Sequence, residues 1–197
     1  MADEEAPEVL AGQPVISFAT VLDCEAWFAE HSADHGGFWL KIGKKGAAAT
    51  VTYVEALDVA LCHGWIDGQK RGYDQTHWLQ RFTRRGPRST WSQINRDKAE
   101  ALIEAGRMRP AGQAQVDAAK ADGRWAAAYA GQKSATVPAD LAAALAADPE
   151  AKAFFETLRG ANRYAILYRV QDAKKPETRA ARIAKFVEMC HNHETVH

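Results

Sequence analysis

Residues 53–95 read YVEALDVALCHGWIDGQKRGYDQTHWLQRFTRRGPRSTWSQIN, and this stretch constrains the chain more than any other. It holds three tryptophans, the carboxylate of Asp67 in a strand candidate just after a helix, and a dense run of arginines. Its start is signposted. Thr52 and Glu55 have the spacing of a capping box, in which each side chain bonds the other residue's backbone N–H. Val54, Leu57 and Leu61 recur at helical spacing, and Gly64 suits the left-handed residue that ends a helix. Trp65–Arg71 and Thr76–Thr83 then read as two strands joined by GYDQ, an antiparallel hairpin.

Strand alternation assigns faces. In the first strand it puts Trp65, Asp67 and Gln69 on one side and Ile66 and Lys70 on the other. In the second it puts Trp78, Gln80, Phe82 and Arg84 opposite His77, Leu79, Arg81 and Thr83. Arg81, Arg84, Arg85 and Arg88 run into Ser89, Trp91 and a helix start at Ser92. Arginines beside a helix N-terminus suit an anion; the alternative is a solvated basic loop paired with surface acids. Asp67 reads either as a ligand anchor or acid/base group, or as a carboxylate bonded to backbone or arginine. Glu55 reads either as a general base near the same region or as a structural group, and its capping-box position favours the structural role. Cys62 and His63 are neighbours about 100° apart on a helix and are not a nucleophile–base pair; Cys62 reads as core and His63 as surface or interface. Neither GxSxG nor a Walker-type loop occurs.

The flanks are read in the same way. Residues 1–13 are acidic, alanine- and proline-containing, and read as a disordered tail. Val15–Ala19 is a strand candidate. Asp23 to about Asp34 is a helix with Asp23 as cap and Trp27 and Phe28 on its apolar face. Phe38–Ile42 is a strand. A helix runs from Ser92 to Gly106 and another from Pro110 to near Gly123. Gly131–Pro138 is a linker, followed by helices starting near Pro138, Pro149, Asn162 and Pro176. The last carries the stripe Ile183, Phe186, Val187 and Cys190. Its basic start, Lys174, Lys175, Arg179 and Arg182, opposes the helix dipole; it reads as a partner surface, an anion contact or a solubility feature, of which solubility is favoured. Trp125, Tyr129, Phe154, Phe155, Tyr164 and Tyr168 read as core.

Composition narrows the function classes. The 197 residues include 25 basic and 25 acidic side chains, so the net charge is zero, which argues against a general nucleic-acid binder. Three scattered cysteines point to a reducing compartment. The acidic start lacks secretory character, and no apolar run reaches the ~20 residues that span a bilayer. The expectation is a cytoplasmic protein with no membrane span. His31 and His35 with Asp34, and Cys190, His191, His193 and His197 near the C-terminus, match no metal motif. Neither a metal nor another cofactor is expected.

The segments YVEALDVALCHGWIDGQ, RFTRR, RSTWSQIN and LIEAGRMRPAG, with the later VPADLAAAL and KKPETRAARIAKFVEM, resemble the YdeI/OmpD-associated family over most of residues 15–190. Arg84, where many relatives have a proline before arginine, and His63, where an aromatic is usual, depart from its pattern. The resemblance implies protection against bacteriocins or cationic antimicrobial peptides and association with an outer-membrane porin. It also implies a small sheet with helices followed by a helical C-terminal region.

The sequence thus predicts an α+β protein with a small antiparallel sheet packed by helices. Residues 14–131 form the core that carries the GWIDG and RSTWSQIN motifs, and a helical region, 138–197, docks on it. Three functional readings follow. The first is a stress or bacteriocin-protection protein that binds an anionic small molecule. Its pocket is walled by Trp65 and Trp91, oriented by Asp67, Gln69, Ser89 and Asn95, and charged by Arg81 and Arg85. The second is an enzyme with Asp67 as acid or base. The third is a dimeric module with a protein partner.

Overall fold

The computed structural model describes residues 8–33 and 36–197, and the chain divides into two compact units. Residues up to Thr90 and Asn95–Ala126 form the first; Trp91–Ile94 and Ala127–His197 form the second.

The first unit is built on a five-stranded sheet in the order β1-β2-β3-β5-β4. The strands are β1 (Val9–Leu10), β2 (Gln13–Ile16), β3 (Gly37–Gly43), β4 (Trp65–Gly72) and β5 (His77–Arg84). The hairpin β4–β5 pairs antiparallel, as its sequence predicts. The sheet is nevertheless mixed: β2 runs parallel to β3, with Val15 opposite Trp39 and Ile16 opposite Leu40. The parallel pair arises because α1 (Val21–His31) crosses over between them. Residues 9–16, most of them expected in a disordered tail, instead form β1 and β2 at the sheet edge. Residues 1–7, Asp34 and His35 lie outside the described residues, and with them the His31/His35 pair.

Helix starts follow side-chain chemistry. Thr20 caps α1 and Asp23 closes the capping box from the third helical position, so Asp23 is the partner of the cap and not the cap itself. Helix α2 (Tyr53–Cys62) has the expected box: Thr52 Oγ1 accepts from the Glu55 backbone N–H at 3.3 Å, and the Glu55 carboxylate accepts from the Thr52 N–H at 2.9 Å. Leu57 and Leu61 are buried, whereas Val54 in the first turn is 53% exposed. Gly64 adopts φ +76° after the helix. Helices α3 (Gln93–Glu104) and α4 (Pro110–Ala121) follow.

Phe38, Leu40 and Phe82 point to the side of the sheet that α1 and α2 cover, and all are fully buried. Phe28 of α1 meets Phe38 at 5.7 Å and Trp65 at 5.3 Å between ring centroids. Trp65 also donates its indole N–H to the Ser32 carbonyl at 3.2 Å. These rings are the centre of the first unit's core.

In the second unit, α5 (Ala139–Ala146), α6 (Pro149–Thr157), α7 (Gly160–Gln171) and α8 (Pro176–His191) share one core. It includes Leu141, Leu145, Phe155, Ile166, Leu167, Val170, Ile183, Phe186 and Cys190, with Val187 partly buried against it. Asp148 caps α6 through the Ala151 N–H at 3.0 Å. Arg179 is not a mere solubilising charge. It forks onto the Asp140 carboxylate of α5 and donates to the Val170 carbonyl of α7 at 2.8 Å, tying α8 to both. Among the described residues, no helix is long and apolar enough to cross a membrane.

Gly112 marks the tightest helix contact in the first unit. A β-carbon there would lie 2.3 Å from the Cys62 carbonyl oxygen and 2.5 Å from the Met108 sulfur. Intrinsic helix propensity favours alanine over glycine by about 1 kcal/mol. The backbone clash outweighs it, because α4 cannot keep its distance from the end of α2. Gly112→Ala is expected to lower stability by about 1–3 kcal/mol, measured by urea unfolding.

Candidate functional site

A β-bulge shapes the site. Asp67 lies opposite Phe82 and Lys70 opposite Gln80, so β4 takes three steps where β5 takes two. The extra residue reverses the alternation beyond it. Lys70, expected on the far side from Asp67, therefore shares its face. Gln69, expected beside Asp67, falls within the bulge and is exposed. The buried Gln80 side chain secures the irregularity by donating to the Gly68 carbonyl at 2.9 Å and the Gln69 carbonyl at 3.2 Å.

Three elements converge on the half-buried Asp67. Tyr53, the first residue of α2, donates its hydroxyl to Asp67 Oδ2 at 2.8 Å. Asn95 of α3 donates its side-chain amide to Oδ1 at 3.4 Å. Burial, then the charge and hydrogen bond of Asp67, push the Tyr53 phenol above its ordinary range, so it stays protonated as the donor. Asn95 is 7% exposed, and its neighbour one turn on, Lys98, ties α3 to α2 through Asp58 at 2.6 Å.

Beside this carboxylate lies a groove of about 360 Å³, lined by Tyr53, Trp78, Ile42 and residues of the 43–52 loop. The Tyr53 and Trp78 rings lie 6.2 Å apart, and the Lys70 ammonium sits 4.3 Å from the Trp78 ring centroid. Tyr53 joins the two features, since its ring lines the groove and its hydroxyl holds Asp67. Tyr53 carries no sequence signal of its own. The only clue is that the capping box sets it at the first position of a helix that faces the hairpin.

The remaining residues singled out from the sequence are dispersed. Trp65 is a core residue under α1 and not a pocket wall. Arg81 pairs with Trp39 on the opposite face of the sheet from Asp67 and donates to Gln13 at 2.9 Å. Arg84 reaches the Ala33 carbonyl at 2.8 Å, Arg85 is buried and donates to the Thr90 carbonyl at 3.2 Å, and Arg88 is exposed. The four arginines therefore do not converge on one point. Ser89 closes the 86–89 turn, its hydroxyl accepting from the Gly86 N–H at 3.0 Å. Trp91 belongs to the second unit, where its carbonyl accepts from the Tyr129 N–H at 3.0 Å. Of the expected set, the structure brings Asp67 and Asn95 together.

Among the described residues, no group of three or more His, Cys, Asp or Glu lies together in a way that could hold a metal ion. The C-terminal histidines meet acids instead: His191 pairs with Asp148 at 2.9 Å and His193 with Glu150 at 2.6 Å.

Two outcomes test this geometry. Replacing Gln80 with leucine leaves two bulge carbonyls without their donor; stability is expected to fall by about 1–3 kcal/mol in urea unfolding. Tyr53 has a raised folded-state pKa, so its contribution is complete below pH 10.0, the ordinary tyrosine value, and is lost as pH rises towards the folded value. Wild-type stability is expected to decline above about pH 10, and Tyr53→Phe to show a shallower decline in denaturation midpoints across that window.

Residues 16–115, just over half the chain, match a domain of unknown function (DUF8412), and this span contains the bulge, Tyr53, Asp67 and Asn95. Residues 134–193 match the family described as Bacteriocin-protection, YdeI or OmpD-Associated. That second match falls on the VPADLAAAL to KKPETRAARIAKFVEM segment, while the GWIDG and RSTWSQIN motifs fall within the first. No curated protein and no solved structure matches the chain. The protein belongs to the DUF8412 domain family, and its C-terminal segment, residues 134–193, is similar to the YdeI/OmpD-associated family.

Proposed function

We propose that this protein is a binding protein in the protective role that describes its C-terminal family, and that Asp67 is the anchor for a cationic group on the ligand. One observation carries the reading. The Asp67 carboxylate is held by two neutral donors, Tyr53 and Asn95, and among the described residues no cation pairs with it. Its negative charge is thus oriented but not cancelled, beside an aromatic groove.

A carboxylate next to Tyr and Trp faces suits an ammonium or guanidinium group. The carboxylate supplies a charge-assisted hydrogen bond and the rings supply cation–π attraction. The Lys70 ammonium over Trp78 shows this ring already accommodating a cation. The ligand class that fits is a peptide rich in lysine or arginine, and the bacteriocin-protection description supports that class. The anionic ligand expected from the arginine run has less support at this site, because Arg81 projects from the other sheet face and Arg84 and Arg85 bond separate backbone carbonyls.

The test is a tryptophan-fluorescence titration with a lysine- and arginine-rich amphipathic peptide, with a glutamate-rich peptide of equal length as control. Asp67→Asn keeps the shape and the acceptor oxygen for Tyr53 while removing the charge. Binding is expected to weaken at least about tenfold, equivalent to about 1.4 kcal/mol, and the acidic peptide is expected not to bind. Equal affinity of wild type and variant for the basic peptide would overturn the assignment.

A further inference from the structure

We propose that the first unit carries a second site, distinct from Asp67, that binds a small phosphate-class oxyanion between His63, Arg107 and Arg109. A cavity of about 260 Å³ lies among these residues, with Glu25, Val59, Cys62 and Gly106 completing its lining.

Local backbone chemistry presents the two arginines. Two residues past the end of helix α3 lies Gly106, φ +68°; its N–H bonds the Ile103 carbonyl, and the Arg107 N–H bonds the Leu102 carbonyl. This pairing is the Schellman motif, and the residue after its glycine is commonly an apolar side chain packed back on the helix. Here that residue is Arg107, which lines the cavity and meets Glu25 at 3.4 Å. Two residues on, the Arg109 N–H donates to the Cys62 carbonyl at 3.2 Å, which pins the connection to the end of α2. Arg109 is also the residue before α4, a 12-residue helix whose N-terminus has no side-chain cap. Its guanidinium has no acidic partner among the described residues.

The charges around the cavity favour an anion. Arg107 and Arg109 face one carboxylate, Glu25, leaving a net positive charge. Asp58, on the same helix as His63, is taken by Lys98 at 2.6 Å. Cys62 is held neutral, since burial pushes its thiol up. His63, whose ring lies 5.5 Å from that of Phe28, is held less basic than usual by burial and by the charge of Arg109. An anion between the arginines offsets that charge, so binding and His63 protonation reinforce each other. The volume, at the small end of the ~300–1,000 Å³ typical of pockets for organic ligands, suits inorganic phosphate or the phosphoryl end of a small metabolite.

The experiment follows the His63 ring by two-dimensional NMR while inorganic phosphate is added, with potassium chloride at matched ionic strength as control. Sulfate serves as a second probe because its charge does not change across neutral pH. Any tightening of sulfate binding between about pH 8 and about pH 6 then reports the protein. The expected result is a saturable shift absent with chloride, tighter sulfate binding at the lower pH, and at least about tenfold weaker binding in Arg109→Gln. Arg109 is exposed, so circular dichroism is expected to show that variant folded. A shift that merely tracks ionic strength, or one unchanged in Arg109→Gln, would overturn the proposal.

Discussion

The antiparallel ladder between β3 and β5 is the constraint on which the first unit rests. It runs from Gly37 opposite Thr83 to Gly43 opposite His77. Because side chains alternate with a period of two, this register alone turns Phe38, Leu40 and Phe82 toward the helices. A slip of one residue would turn all three away and bring Trp39, Lys41 and Arg81 inward. The buried rings of Phe28, Phe38, Trp65 and Phe82 oppose such a slip, since each gains contacts in one register only. The β2–β3 parallel pair and the β4–β5 hairpin then attach to opposite sides of a ladder whose facing is already decided.

The chemistry at Asp67 depends on that ladder and on one departure from it. Tyr53 reaches Asp67 because the Thr52–Glu55 box starts α2 where the tyrosine is the first helical residue. Lys70 reaches the Trp78 ring because the bulge reverses the alternation of β4. Gln80 links these facts, as its buried amide satisfies the carbonyls that the bulge removes from the ladder. A structural hydrogen bond thus decides which side chains of β4 share the face of the carboxylate.

The second unit solves a different problem. Its four helices bury apolar stripes in one shared core. Directed polar contacts supplement it. Arg179 grips Asp140 and the Val170 carbonyl, and His191 pairs with Asp148 beside the start of α6. Partly exposed ion pairs add little stability individually. A forked guanidinium contact that also satisfies a helix-terminal carbonyl adds geometric definition, which explains why α8 tolerates a basic first turn.

Short-range chemistry was legible in the amino-acid sequence. The capping box at Thr52, the left-handed Gly64, the β4–β5 hairpin and the proline-led starts of α6 and α8 each depend on residues a few positions apart. Pairing of residues 38 and 82, the parallel edge and the bulge depend on segments far apart in the chain, so alternation within one strand could not reveal them. For that reason Arg81 was grouped with Asp67 although the sheet separates them, and Tyr53 went unrecognised although it touches Asp67. At Thr20 and Asp23 the ambiguity was different: both residue types cap helices, and only the direction of the chain before Thr20 decides which one does. The sequence by itself determined the α+β class, the helix starts marked by the Thr52 capping box and by Pro149 and Pro176, and the presence of a carboxylate in an aromatic hairpin. Tertiary structure alone decided which groups surround that carboxylate, because long-range register and one inserted residue set the direction of every side chain on the sheet.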